Sequence, residues 1–306
     1  MVAQIMHDSK SPYRGRFAPS PTGPLHFGSL VAAVGSYLEA RSRGGEWLVR
    51  MEDLDLPREA PGAADAILRT LEAYGFEWDG EVLYQSGRDA AYAAALARLE
   101  QSRSVFPCSC TRREIADSAL TLKGEPVYPG TCRRGLHLGR AARAIRVCVD
   151  QAVIAFDDAL QGRVEQDLAR EVGDFVVRRA DGLFAYQLAV VVDDAEQDIT
   201  DVVRGADLLA STPRQIHLQH LLGCATPRYL HLPVAINRNG EKLSKQTLAE
   251  PLVITHAAAQ LLRALRFLGH EPPAELSAAG TADIWNWVLR NWRTDNIPRR
   301  RSIPSG

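Results

Sequence analysis

Apolar residues recur at spacings of three and four between Ser29 and Ser42, where Leu30, Val34, Tyr37, Leu38 and Arg41 share one face. That period predicts a helix. It follows a short extended segment, Arg14–Ala18, and the breaker-rich run Pro19-Ser20-Pro21-Thr22-Gly23-Pro24. Trp47–Met51 alternates as a strand does and ends at the acidic Glu52-Asp53-Leu54-Asp55. Helical spacing returns over Gly62–Tyr74 and Arg88–Gln101. Strand, loop, helix and strand in this order predict a doubly wound α/β domain.

The pattern changes between Val105 and Asp181, which holds four of the five cysteines, a basic helix-like piece at Thr111–Ala119 and the β-rich segments Ala144–Val149 and Val153–Asp157. This stretch reads as an insertion. Beyond it, Phe184–Val192 and Asp198–Arg204 are apolar, β-branched runs, and helix Pro213–Leu222 and strand Tyr229–Val234 supply a second α/β half. Thr255–Leu268 and Ala282–Trp292 predict C-terminal helices, with apolar stripes at Leu261, Leu265 and Leu268 and at Ile284, Trp285, Val288 and Trp292. The expected fold is therefore a split, Rossmann-type, doubly wound parallel sheet. Its first half covers residues 12–104, the inserted subdomain 105–181, the second half 182–250, and a short helical region with a basic tail 251–306.

Composition narrows the class. The chain has 306 residues, 46% of them hydrophobic and 24% charged, as a soluble globular protein of one large or two ordinary domains would. Its formal net charge of −1 means that a nucleic-acid partner must be met by a local basic surface, such as the tail Arg290, Arg293, Arg299, Arg300 and Arg301. No apolar run approaches the ~20 residues a membrane span needs, and no secretory apolar segment opens the chain. Five cysteines in a chain of this length do not form a disulfide framework. A cytoplasmic protein, monomeric by default, is expected.

Two loops carry candidate chemistry. In Pro24–Ser29, proline and glycine hold a turn ahead of a helix whose free N–H groups and positive dipole end suit a phosphate. Gly28 allows a nucleotide close to the backbone, and His26 could donate to a phosphate oxygen gaining charge. In Asn237-Arg238-Asn239-Gly240-Glu241-Lys242-Leu243-Ser244-Lys245, a tight turn presents two lysines that suit a triphosphate undergoing in-line displacement. Each string alone is common. The pair, one on each α/β half, predicts an enzyme that activates a carboxylic acid with ATP.

These same residues resemble the glutamyl-type class I aminoacyl-tRNA synthetases. Pro19-Ser20-Pro21-Thr22-Gly23-Pro24-Leu25-His26-Phe27-Gly28-Ser29, preceded by Arg16-Phe17-Ala18, is similar to their HIGH region, and Lys242-Leu243-Ser244-Lys245-Gln246 to their KMSKS loop. The likeness continues through Arg50–Asp55, Tyr186–Asp194 and Asp201–Leu208. It implies ATP-dependent formation of glutamyl adenylate, with Mg²⁺ on the phosphates. By position it assigns Arg16, Tyr186 and Arg204 to the carboxylates of glutamate and Glu52 to its ammonium, with Phe17, Ala18, Pro19 and Ser20 beside them. Guanidinium groups bind carboxylates bidentately and keep their charge, which agrees with a dicarboxylic substrate. His26, Gly28, Ser29 and Lys245 would contact ATP, and His26, Lys242 and Lys245 would stabilise the transferring phosphoryl group. Only about sixty residues follow Gln246, too few for the anticodon-binding region of a discriminating glutamyl-tRNA synthetase. Such a shortened core resembles the glutamyl-queuosine tRNA(Asp) synthetases, which activate glutamate without tRNA and transfer it to queuosine in the anticodon of tRNA(Asp). A shortened enzyme charging the 3′ end of tRNA(Glu) is the alternative within the class, and a non-catalytic RNA-binding module the alternative outside it.

Cys108, Cys110 and Cys132 offer three soft donors, whereas a structural zinc takes four. On spacing alone they are either a metal site or buried packing residues. The resemblance implies one structural Zn²⁺ with Tyr128 as fourth ligand; His137 is the more usual choice on chemical grounds.

Overall fold

A computed structural model describes residues 12–116, 127–150, 152–237, 239–243 and 250–305. The first half runs β1 (Arg14–Phe17), α1 (Phe27–Arg41), β2 (Glu46–Met51), α2 (Ala63–Ala73), β3 (Leu83–Tyr84) and α3 (Asp89–Gln101). Strands β1, β2 and β3 lie side by side and parallel, so α1 and α2 are crossover helices. The middle stretch holds β4 (Val105–Cys108), α4 (Arg112–Ala116), β5 (Ala144–Val147), β6 (Val153–Asp158), β7 (Gly162–Asp167), α5 (Leu168–Glu171) and β8 (Val176–Arg178). The second half is α6 (Tyr186–Glu196), β9 (Asp201–Gly205), α7 (Thr212–Leu222), β10 (Arg228–Leu232) and β11 (Val234–Ile236), followed by α8 (Ala257–Phe267), α9 (Thr281–Asn291) and β12 (Ser302–Pro304).

The two halves meet where β1 lies beside β9: the Thr200 N–H donates to the Arg14 carbonyl at 3.0 Å, and the Arg14 N–H to Thr200 Oγ1 at 2.8 Å. β9 and β10 are parallel over five residue pairs. The middle stretch is not wholly separate. β4, β5 and β8 form their own antiparallel sheet, but the β6–β7 hairpin continues the main sheet, with Asp158 of β6 paired to Tyr229 of β10. No periodicity in the sequence marks that long-range pairing.

The apolar, β-branched run from Phe184 is helical from Tyr186 onward. Leu188 to Asp194 is buried at every position, because α6 sits between the sheet and its neighbours α3 and α7. A helix buried all round has no polar face, so its pattern resembles that of a buried strand.

Helices on both faces of the sheet create two cores. One packs α1 against β2, β10, α8 and α9 through Leu30, Val34, Trp47, Leu232, Leu265 and Trp285. The other joins α3, α6 and α7 to the middle sheet through Leu99, Leu188, Leu218, Val147 and Phe175. The chain end is tied down too. Trp292 Nε1 and Thr294 Oγ1 both donate to Glu39 Oε1 on α1, at 2.8 and 2.6 Å, and β12 pairs with β11. Among the described residues no helix is long and apolar enough to cross a membrane.

Trp285 pins α9 to the first half. Its Nε1 donates to the Tyr74 carbonyl at 2.8 Å, and its ring packs edge-on against Tyr37 and Phe76 with centroids 5.0 Å away. Trp285→Ala should lower unfolding free energy by about 3–5 kcal/mol. Urea denaturation checks this; a loss below about 1 kcal/mol, the level of an ordinary surface change, would show that α9 is not part of the core.

Candidate active site

Parallel strands end together, and open α/β sheets bind ligands beyond their carboxyl ends. Here the ends of β1, β2, β9 and β10 open on a cavity of about 710 Å³. The chain leaving β1, Arg16 to Ser20, forms one wall; His26, Gly28 and Ser29 at the start of α1 form the next. Glu52 enters just past β2, Tyr186 from the first turn of α6, Arg204 from β9, and Lys242 and Leu243 from the second loop. The structure thus brings most of the HIGH-like residues (not Pro21, Gly23, Pro24 or Phe27), the four residues assigned to glutamate's charged groups, and the start of the KMSKS-like segment around one space. Ser244, Lys245 and Gln246 lie outside the described residues.

The floor is a buried ionic network. Arg16 Nε and Nη2 donate to Asp194 Oδ1 and Oδ2 at 3.0 and 3.3 Å. Arg50, with no exposed surface, donates from Nη2 to Asp194 Oδ1 at 2.7 Å and lies 3.5 Å from Glu52 Oε1. The neighbouring Asp193 accepts from Gln85 Nε2 and Arg88 Nε, each at 2.6 Å, and from Tyr92 Oη at 2.9 Å. Burial opposes ionisation of Asp194, yet Arg16 and Arg50 hold its carboxyl below the usual carboxylate range. Glu52 goes the other way: burial raises it despite Arg50 and Arg16, so a cationic ligand beside it would favour its ionised form. Alternation along β2 shows Arg50 and Glu52 on one face, but it does not show that Asp193 and Asp194 lie beneath them. The signal available was an Asp-Asp pair closing an otherwise apolar run.

Arg204 is held on several edges. Nη1 donates to Tyr186 Oη at 3.4 Å, Nη2 to Thr212 Oγ1 and Gln215 Oε1 at 2.8 Å each, and Nε to His231 Nε2 at 3.1 Å. A guanidinium fixed in this way is preorganised and loses little freedom when it takes a carboxylate.

His26 is the N-cap of α1, and its Nδ1 accepts from the Ser29 N–H at 3.3 Å. The neutral ring therefore carries its proton on Nε2, as a donor to a phosphate oxygen must. In the second loop, Asn237 closes the turn: its N–H donates to the Glu241 carbonyl at 2.8 Å, and its Oδ1 accepts from the Asn239 and Glu241 N–H groups at 2.9 Å each. Gly240 takes the positive φ, +80°, that this turn requires. Lys242 Nζ then meets Asp207 Oδ2 at 2.6 Å. The loops also touch. The Leu243 carbonyl would lie 3.4 Å from a Cβ at position 28, and the Leu252 N–H donates to the Leu25 carbonyl at 2.8 Å.

The thiols of Cys108, Cys110 and Cys132 lie within 4.8 Å of one another, close enough to share a metal ion. Tyr128 Oη sits 3.4 Å from Cys108 Sγ and 3.8 Å from Cys110 Sγ, whereas exposed His137 does not join the group. Arg146 Nε donates to Cys108 Sγ at 3.3 Å.

A histidine-capped helix opening one α/β half faces a lysine-bearing loop of the second half across one cavity, an arrangement suited to adenylate formation, and the class of synthetase follows from comparison with known families. The family model for class I tRNA synthetases (E and Q), catalytic domain, matches residues 13–268. A glutamyl-Q tRNA(Asp) synthetase from Dechloromonas aromatica is 65% identical over 96% of this chain and 98% of its own length. One from Aromatoleum aromaticum is 59% identical over 97% and 94%. The chain belongs to the glutamyl-Q tRNA(Asp) synthetase family. The fold also superimposes on a glutamate-tRNA synthetase from Elizabethkingia anophelis, with a TM-score of 0.78, 22% identity and coverage of 95% of this chain and 67% of that one.

Replacing Asp194 by alanine would leave Arg16 and Arg50 buried without their shared carboxylate. Asp194→Ala should cost about 3–5 kcal/mol of stability, the penalty of breaking a buried ion pair on one side. Chemical denaturation measures this, and a change within about 0.5 kcal/mol would mean that the network does not hold the site together.

Proposed function

We propose that this enzyme activates L-glutamate with ATP in the absence of tRNA and transfers the glutamyl group to the queuosine base in the anticodon of tRNA(Asp). The observation that carries the reading is the charge layout of the cavity. Arg16, Arg204, Tyr186 and the largely buried Glu52 line one cavity of about 710 Å³, room for an amino acid and a nucleotide together. The naming of relatives that share about 60% or more of their residues with this chain over nearly their full length supports the acceptor.

In the first step an oxygen of the substrate α-carboxylate attacks the α-phosphorus of ATP. A carboxylate–phosphorus bond forms, the bond to the oxygen bridging to the β-phosphate breaks, and pyrophosphate leaves. Arg204, Tyr186 and Arg16 orient the carboxylates, and Glu52 takes the ammonium. His26, capping α1, donates from Nε2 to the phosphoryl oxygens, while Lys242 and Lys245 follow the charge to the departing pyrophosphate. Positioning and charge stabilisation suffice for such a displacement, with no covalent enzyme intermediate. Mg²⁺ bound to the triphosphate would neutralise part of its charge. In the second step a nucleophile of the queuosine base attacks the activated carbonyl carbon and AMP leaves.

The thiol cluster fits one structural Zn²⁺ held by Cys108, Cys110, Cys132 and Tyr128. The soft donor set and its spacing suit that ion, and the site would cross-link β4 to the segment around Tyr128. The inserted stretch then has a fixed shape, and the helices after the second loop form a short cap on α1.

Labelled glutamate, ATP and tRNA(Asp) with or without queuosine test the transfer. Label should appear only on queuosine-containing tRNA and resist removal of the 3′ end; labelling that ignores queuosine, or sits at the 3′ terminus, contradicts the reading. Arg204→Ala should raise the KM for glutamate by roughly ten- to hundredfold, the loss of a charge-assisted hydrogen bond, with ATP affinity little changed. Chelation should release about one zinc per chain and lower the melting temperature of the middle stretch, with adenylate formation retained. Metal analysis finding no zinc, with the same melting curve in chelator, would exclude the metal.

A further inference from the structure

One fully buried polar pair near the cavity has no part in the chemistry above. His231 on β10 and Asp158 at the end of β6 have no exposed side-chain surface, and His231 Nδ1 lies 2.6 Å from Asp158 Oδ2. The other carboxylate oxygen is anchored by backbone: Asp158 Oδ1 accepts from the N–H groups of Leu160, Gln161 and His231 at 3.0, 2.8 and 3.2 Å. On its far side the imidazole presents Nε2 to Arg204 Nε at 3.1 Å and to Thr212 Oγ1 at 3.1 Å. A guanidinium has donors and no acceptor. His231 Nε2 must therefore be the acceptor, which places the ring proton on Nδ1, where Asp158 receives it. The chain Asp158, His231, Arg204 is consistent in only this tautomer.

We propose that Asp158 and His231 are positioning residues that lock the Nε edge of Arg204 and thereby aim its remaining N–H groups at the substrate carboxylate. The proposal rests on the reading of Arg204 as a carboxylate binder. Burial and the Arg204 charge both push the imidazole toward its neutral form, as the geometry requires. Burial works against ionisation of Asp158, but the hydrogen bonds from His231 and the backbone hold its carboxyl low. Asp158 comes from the hairpin of the middle stretch, where β6 joins β10. The orientation of a substrate-facing arginine is thus set partly by a segment outside both nucleotide loops.

The test uses the full-length enzyme and ATP–pyrophosphate exchange, with KM measured separately for glutamate and for ATP. In Asp158→Asn the amide N–H₂ faces Nδ1, drives the ring proton to Nε2 and sets donor against donor at Arg204. Glutamate KM should then rise roughly ten- to hundredfold while ATP KM changes little. The ring ¹⁵N signals of His231 should show Nδ1–H in the native enzyme and Nε2–H in this variant. If Asp158→Asn does not fold, two substitutions at His231 decide. His231→Gln keeps an acceptor near the Nε2 position and should retain most glutamate affinity; His231→Asn keeps only a donor toward Asp158 and should lose it. Equal KM values for the two variants, parallel rises in glutamate and ATP KM, or an inverted tautomer with unchanged glutamate KM would each overturn the proposal. Arg204→Ala is the control for the underlying reading. If it leaves glutamate KM unchanged, the substrate assignment fails, whereas the native Nδ1–H signal and its inversion in Asp158→Asn still report on the positioning chain alone.

Discussion

Two adjacent carboxylates, Asp193 and Asp194, lie buried near the end of α6 and gather guanidinium groups from β1, β2 and Arg88, the residue that precedes α3. Removing carboxylates from water costs several kcal/mol each unless cations and hydrogen bonds replace the solvent. Arg16, Arg50 and Arg88 supply that replacement, and each comes from a different element. Those elements can satisfy the carboxylates in one relative placement only. The first half of the sheet is thereby held to a helix of the second, and Arg16 and Glu52 stand in the cavity wall as a consequence. The site and the junction between the halves are one electrostatic construction.

The same logic operates at β9 and β10. Arg204 is fixed by neutral partners on α6, α7 and β10, so its charge stays unneutralised by protein carboxylates within that set. Arg16 is different: its charge is balanced by Asp194. The two arginines therefore play unequal parts. On the proposed function, Arg204 would offer the stronger attraction for an incoming carboxylate, and Arg16 would contribute mainly direction. On the nucleotide side, the contact of Leu243 with the start of α1 and the Leu252–Leu25 hydrogen bond bring the loops together.

Much of this is legible in the sequence, for physical reasons that differ from one element to another. α1, α3 and α7 carry a 3.6-residue period or clear end signals, and Asn239-Gly240 announces a turn through its own chemistry. The cysteine spacing points to a metal or a packed cluster but does not itself bring in Tyr128, which the resemblance implies and whose hydroxyl the fold places beside the thiols. α6 is ambiguous because valines buried on every side erase the polar face that marks a helix. Least visible are the long-range pairings. Nothing in the local pattern says that Asp158 meets His231, 73 residues away, or that Asp194 receives Arg16 across 178 residues. The resemblance to a synthetase family names the substrate-facing residues, and the structure adds what holds them.

The central claim is that this charge layout selects one dicarboxylic amino acid without help from tRNA. ATP–pyrophosphate exchange measured for each of the twenty amino acids, with no tRNA present, tests it most directly. Exchange should be strong with glutamate and weak with aspartate and glutamine, which lack respectively the reach and the second carboxylate. Comparable exchange with glutamine, or no exchange with glutamate until tRNA is added, would contradict the account.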